Sequence, residues 1–182
     1  MKEIKIISPW PGMMKDVING KTVWNKYWDN KNNFRLFDLS TKKKKNIFIH
    51  GRNDDVVNIR GHRIGSEEIE STLLKIKEIT ECCVITLDDK LEGSKICLFV
   101  VANINLDTQI EKIIISTFGT FALPKKIFYV NQIPKTRSGK ILRRLLRNIY
   151  DDPNQKIGDI STMINKKTIK NIINQVKKIK KL

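Results

Sequence analysis

Pro134-Lys135-Thr136-Arg137-Ser138-Gly139-Lys140, running on into Ile141-Leu142-Arg143-Arg144, is the most telling stretch of this 182-residue chain. Thr136, Ser138 and Gly139 predict a short flexible loop. Ile141, Leu142, Leu145, Leu146 and Ile149 then recur at helical spacing. Lys140 is therefore expected where loop becomes helix, mobile enough to reach a neighbouring site and anchored enough to be aimed. A Gly-Lys pair invites comparison with the phosphate-cradling loop. That motif needs a second Gly five positions before Gly139, where Pro134 stands, and a Ser or Thr after the Lys, where Ile141 stands. On residue chemistry alone the stretch also reads as a basic loop capping a helix.

Outward from it the pattern is of alternating short strands and helices. Val56, Val57 and Ile59 predict a strand. Ser66 to about Ile76 predicts a helix, with Ile69, Leu73 and Ile76 on one face and Glu67, Glu68 and Glu70 favouring its positive N-terminal end. Glu81 to Leu87 and Lys95 to Ala102 read as two apolar strands joined across Asp88, Asp89 and Gly93. Ile110, Ile113, Ile114 and Phe118 mark a second helix, and Lys126 to Val130 a third strand that delivers the chain to Pro134. After a polar connector at Asp151-Asp152-Pro153, a last helix from about Lys167 carries Ile169, Ile172, Ile173, Val176 and Ile179 as an apolar stripe. Such a basic amphipathic helix fits either a membrane surface or a docked, solvated position.

Composition sets bounds. The length suits one domain with a core plus a tail or small subdomain, and 40% hydrophobic residues exclude a disordered chain. No apolar run approaches a membrane span. Met1-Lys2-Glu3-Ile4-Lys5 lacks the long apolar stretch of a signal peptide, so a cytoplasmic location is expected. Cys82, Cys83 and Cys97 lie in strand-like surroundings without metal-ligand spacing, which predicts reduced, buried thiols. The net charge of +16 raises polyanions as partners. The lysines run along the whole chain together with abundant Asn and Ile, which is the pattern of compositional bias. No specific nucleic acid and no membrane partner are expected.

Three stretches together resemble the adenylate-forming acyl-CoA synthetases, and among them the AMP-forming acetate– and propionate–CoA ligases. They are Pro134–Lys140; Gly51-Arg52-Asn53-Asp54-Asp55-Val56-Val57-Asn58-Ile59-Arg60-Gly61-His62-Arg63-Ile64-Gly65 leading into Glu67-Glu68-Ile69-Glu70; and Gly158-Asp159-Ile160-Ser161-Thr162. The resemblance begins near Pro9-Trp10-Pro11-Gly12 and implies that the large domain proper is missing. It implies that Lys140 is the catalytic lysine of acyl-adenylate formation, that Asp38 and Arg52 contact the nucleotide ribose, and that Arg63 meets nucleotide phosphate, a task suited to its fork of donors. It further makes Asp54 the hinge of the C-terminal domain. Gly61 borders the coenzyme A tunnel and Arg60 stands beside it. His62 reads as structural rather than catalytic. ATP, coenzyme A and magnesium are implied, most of their ligands lying in the missing domain; no metal ligand is assigned to this chain. Acetate or propionate is the implied acid, and a separately encoded large domain a possible partner.

The fold expected is α+β: a small, roughly three-stranded sheet flanked by helices, preceded by an irregular β segment. Residues 1–53 are read as the incomplete C-terminal end of the large AMP-binding domain, 54–150 as the C-terminal lid, and 151–182 as connector and amphipathic helix. Trp10, Trp24, Tyr27, Trp28, Phe34 and Phe37 crowd the first part with aromatics, which suits either a small β subdomain or a surface that packs on a missing body. Besides a working lid, a truncated remnant without catalytic function and a basic binding module for nucleic acid or a protein remain as alternatives.

Overall fold

The two apolar runs that follow the first predicted helix form an antiparallel hairpin, β6 (Glu81–Asp89) and β7 (Gly93–Val101), paired from Glu81↔Val101 to Asp89↔Gly93. A third strand, β8 (Lys126–Tyr129), adds parallel to β7, so the order is β6-β7-β8. Both faces of this sheet are covered, which is why β6 reads as a continuous apolar run and not an alternating one. Cys82, Val84, Ile96, Leu98 and Val100 face one core; Cys83, Ile85, Leu87, Cys97 and Phe99 face the other. The computed structural model describes residues 2–18, 20–53, 56–89, 91 and 93–180, without the side chains of His50 and Gly51.

The described chain divides into two compact units, Met1–Val56 and Val57–Leu182. In the second, the first core is closed by β4 (Val56–Ile59), β5 (His62–Gly65), α2 (Ser66–Leu73) and α3 (Asp107–Phe118). A 3₁₀ turn at Thr120–Ala122 lies beside them. Ile69, Leu73, Ile110 and Ile114, the periodic residues of the two helices, are fully buried. The α3 N-terminus is held by Tyr129, whose hydroxyl accepts from Leu106 N at 2.7 Å and donates to Asp107 Oδ1 at 2.8 Å. The second core is closed by α4 (Arg143–Asp151) and α5 (Thr168–Lys180). Ile169, Ile172 and Val176 of α5 are buried there, each worth roughly 1.5–3 kcal/mol. The apolar stripe of the last helix is thus committed to the core and not offered to a membrane, and no described helix is long and apolar enough to cross one.

Two sequence expectations change. The connector is not merely polar: Met163 is 3% exposed, and Ile157 and Ile160 pack on the second core. Residues 1–50, expected as an irregular β segment, are β as expected but more regular: they hold a three-stranded antiparallel sheet of β1 (Lys2–Ile6), β2 (Phe34–Lys43) and β3 (Asn46–Arg52), with a short helix α1 (Lys21–Lys26). Bulges between Glu3 and Lys5 and between Asp38 and Ser40 break the period-two pattern that sequence reading relies on. Tyr27 stacks on Phe34 at 5.7 Å, and Trp10 and Trp28 meet Phe34 edge-on at 5.2 and 5.3 Å. The three cysteines are buried and none is in a disulfide. Burial pushes the Cys82 thiol up to about 12 and the Cys97 thiol up to about 11, which makes them unreactive.

Candidate functional site

Lys140 does not stand where loop becomes helix. The chain from Pro134 to Leu142 folds back on itself. Leu142 N donates to Pro134 O at 2.9 Å, Lys135 and Ile141 form a bridge, and Thr136 N donates to Lys140 O at 2.9 Å. The turn closes with Gly139 N donating to Thr136 O at 2.9 Å, and Gly139 takes φ +82°, the left-handed region that suits glycine. Thr136 Oγ1 accepts from Lys140 N at 3.1 Å and bonds Ser138 Oγ at 2.9 Å. The stretch is a small hydrogen-bonded hairpin, not a flexible loop, and α4 starts only at Arg143. The apolar spacing begins at Ile141 because Ile141 and Leu142 pack on the second core from the hairpin's returning arm.

The third stretch singled out in the sequence lies against the first. Arg137 N donates to Thr162 O at 3.1 Å and Ile164 N to Lys135 O at 3.2 Å, with Thr136 and Met163 bridged between them. Lys135 is further held by Glu81 Oε1 at 2.7 Å. Lys140 itself is exposed, on a hairpin whose base is tied down on both sides.

Gly61 sits at the tip of a second hairpin, between β4 and β5. Its two turn residues, Arg60 (φ +50°) and Gly61 (φ +84°), both have positive φ, the geometry of the turn type that matches the twist of paired strands. A Cβ on Gly61 would meet nothing within 4 Å, so the turn faces open space. Val57, Ile59 and Ile64 anchor this hairpin in the first core. His62 stacks on Phe121 at 4.1 Å, a packing role. Arg60 and Arg63 are exposed. The Gly61 and Lys140 hairpins therefore pack on opposite faces of the same β6-β7-β8 sheet.

Asp38 and Arg52 are brought together. They are cross-strand partners in β2 and β3, with Asp38 Oδ1 3.7 Å from Arg52 Nη1. Arg52 also donates to Leu36 O at 3.1 Å and lies 5.7 Å from the Phe37 ring. Both side chains keep about a third or more of their surface accessible, at 34% and 40%. Asp54, the expected hinge, lies outside the described residues.

One constellation escaped sequence reading. Glu70 looks like one of three acids at a helix N-terminus, yet it is 8% exposed. Its Oε1 accepts from Val84 N at 2.8 Å, on the unpaired edge of β6, and both its oxygens receive Arg143 Nη2, at 2.9 and 2.7 Å. Burial pushes the Glu70 carboxyl up, while the Val84 amide and Arg143 pull it back. Arg147 Nε donates to Thr86 O at 3.0 Å on the same edge. These side chains occupy backbone groups that would otherwise invite another strand, and they tie α2 to α4 around the sheet edge. Only the pairing of distant residues, 70 with 143, could have revealed it. Among the described residues no three His, Cys, Asp or Glu side chains cluster as a metal site.

Residues 68–140 match the AMP-binding enzyme C-terminal domain. The chain is 35% identical over 202 residues to acetyl-coenzyme A synthetase 1 of Kluyveromyces lactis, covering 96% of this chain and 27% of that protein. It is 35% identical over 182 residues to acetyl-coenzyme A synthetase of Leptospira biflexa, covering 95% and 28%. Among solved structures, ATP-bound MatB from Rhodopseudomonas palustris superposes with TM-score 0.62 at 24% identity, over 72% of this chain and 27% of that one. A Mycobacterium tuberculosis fatty acyl CoA synthetase does so with TM-score 0.56 at 27% identity, over 74% and 27%. The chain spans about a quarter of the length of these relatives. With this fold and these matches, residues 68–140 carry the AMP-binding enzyme C-terminal domain, and the chain is similar to the acetyl-coenzyme A synthetases over about a quarter of their length.

Proposed function

We propose that this chain serves as the mobile lid of an AMP-forming acetate–CoA ligase, completed by a large domain. The observation that carries the reading is the placement of the Lys140 and Gly61 hairpins on opposite faces of one sheet. A reaction in two steps, with a different face of the lid turned inward for each, needs that arrangement. In the first step a carboxylate attacks the α-phosphate of ATP and pyrophosphate leaves; in the second the coenzyme A thiol displaces AMP. Lys140 acts in the first. Carboxylate and phosphate are both anions, and an ammonium held between them offsets their repulsion as charge develops. A preorganised donor of this kind is worth about 3–4 kcal/mol. The exposed Lys140 on a tied hairpin suits that work, because little reorganisation is left to be done.

Gly61 acts in the second step. The open space at its turn leaves room for a pantetheine arm, where a side chain would intrude. Arg60 stands at the same tip and supplies a cation for the phosphates of coenzyme A. Arg63 suits a nucleotide phosphate, and the Asp38–Arg52 pair offers an acceptor and donors for ribose hydroxyls. Asp54 keeps in this reading the role of hinge that the resemblance gives it. Magnesium and most ATP contacts come from the large domain, whether from a longer chain or from a partner. The uncovered third strand of the first unit supports such a body: Ile47, Phe48 and Ile49 are 64%, 46% and 66% exposed, and consecutive strand residues point to alternate faces. Acetate is the acid the relatives favour, with propionate the other candidate.

The experiment supplies the large domain and measures the half-reactions separately. Lys140→Ala is expected to slow adenylation by roughly 10²–10³-fold and to spare thioester formation from added acetyl-adenylate. Equal loss of both would assign Lys140 a folding role instead.

A further inference from the structure

We infer that residues Asp159–Ile164 are a positioning element for Lys140, a bridged third segment that fixes the shape of its hairpin. This rests on the reading of Lys140 given above. A two-stranded hairpin alone is marginal in water, and the one bearing Lys140 has an exposed tip. Its outer arm, Lys135 to Arg137, is sandwiched. On one side it bonds the returning arm through Thr136 N–Lys140 O and the Lys135–Ile141 bridge. On the other it bonds the tail through Arg137 N–Thr162 O at 3.1 Å and Ile164 N–Lys135 O at 3.2 Å. Three short segments thus form a miniature ladder with the Thr136 stretch in the middle.

The tail can act as a splint because it is itself fixed. Met163, directly opposite Thr136, is buried at 3% exposure, and Ile160 packs on the same core. Upstream, Asp159 accepts Ser161 N at 2.8 Å on Oδ1 and Ser161 Oγ at 3.1 Å on Oδ2, which shapes the turn leading into the bridged residues. Met163 N then closes on Ile160 O at 3.1 Å. From there order passes through Thr136 to Lys140, whose amide is held by Thr136 Oγ1. The tail touches no reacting group; it decides how far Lys140 can wander.

Ile164 offers a clean test, since it is 57% exposed and contributes to the ladder through its N–H. Ile164→Pro deletes that donor; Ile164→Ala keeps it. In the whole chain, hydrogen exchange at Thr136, Arg137, Gly139 and Lys140 is expected to quicken about tenfold in Ile164→Pro, as one net backbone bond is lost. Tryptic cleavage after Arg137 and Lys140 should quicken with it. Ile164→Ala should match the parent, and β6 and β7 amides should stay slow in both. Asp159→Ala, on the exposed turn, should loosen the same amides to a smaller degree and serves if the proline variant fails to fold. Parent-like exchange at those four amides in Ile164→Pro, or in Asp159→Ala where that variant stands in for it, would overturn the positioning role. Lys140→Ala with adenylation intact would instead overturn the proposed function and leave the exchange result standing.

Discussion

Two three-stranded sheets in one chain are stabilised in opposite ways. In the β6-β7-β8 sheet, neighbouring residues Cys82, Cys83, Val84 and Ile85 are all at most 4% exposed, because helices or a hairpin cover both faces. In the β1-β2-β3 sheet, Leu39 is the one buried hydrophobic side chain among the described residues of the first unit. There the aromatics are half-buried against one another, and turns carry much of the order. Asp29 alone accepts from Lys5 Nζ at 2.8 Å, Lys31 N at 2.8 Å, and Asn33 N and Nδ2 at 2.9 and 3.0 Å. Hydrogen-bonded strands are therefore not enough to make a core. What differs is how much apolar surface leaves water, and that is the dominant favourable term.

The contrast is expected to be largest in hydrogen exchange. Amides of β6 and β7 should exchange more slowly than those of β2 and β3 by on the order of 10³-fold, since local opening spans from near zero to the global free energy. Trp10, Trp24 and Trp28 are all the tryptophans of the chain and lie in the first unit. Their fluorescence should therefore change at lower urea than the far-ultraviolet signal, and protease should cut first before Gly51. Coincident transitions and uniform protection would erase the comparison.

Within the second unit the sharpest single loss should follow Glu70→Ala. Removing one partner of a buried ion pair costs roughly 3–5 kcal/mol, and the Val84 amide and Arg143 guanidinium would both lose their acceptor. Urea unfolding read by circular dichroism measures it. A cost below about 1 kcal/mol, the range of exposed pairs, would mean the edge contact is ornamental.

The first unit should be the more sensitive to acid. Lys5, then Asn33, hold the Asp29 carboxyl well below the usual carboxylate range. A depressed carboxyl contributes stability that is present above its unfolded pKa near 4 and is lost as pH falls towards its folded value. Tryptophan fluorescence followed below pH 4 should show the first unit loosening, and Asp29→Asn should weaken that acid dependence. The smallest effect belongs to Lys140→Ala. An exposed side chain away from the core should change stability by no more than about 0.5 kcal/mol, so any large shift in unfolding would undercut its assignment to chemistry.

Much of the second unit was legible because its elements are locally coded. The Ile69–Leu73–Ile76 spacing, the apolar runs from Glu81 and Lys95, and the α5 stripe each match one period over enough residues to stand alone. The Lys140 hairpin was misread because Ile141 and Leu142 continue a helical spacing while obeying a different constraint. They line the returning arm of a hairpin whose partner, Thr162 to Ile164, lies more than twenty residues away. Asp38 and Arg52 carried no period at all; a bulge and β2–β3 register make them neighbours.

By itself the sequence determined helices α2, α3 and α5, strands β4, β6, β7 and β8, and which side of each is apolar. Those properties depend on residue type and short-range spacing, where backbone geometry leaves few choices. Only the tertiary structure decided that the Gly61 and Lys140 hairpins take opposite faces of one sheet, that Glu70 turns inward to Arg143, and that Thr162–Ile164 lie bridged beside Lys135–Arg137. Each of those depends on contacts between residues far apart in the chain, fixed by burial and by the need to satisfy buried polar groups, and no local pattern encodes them.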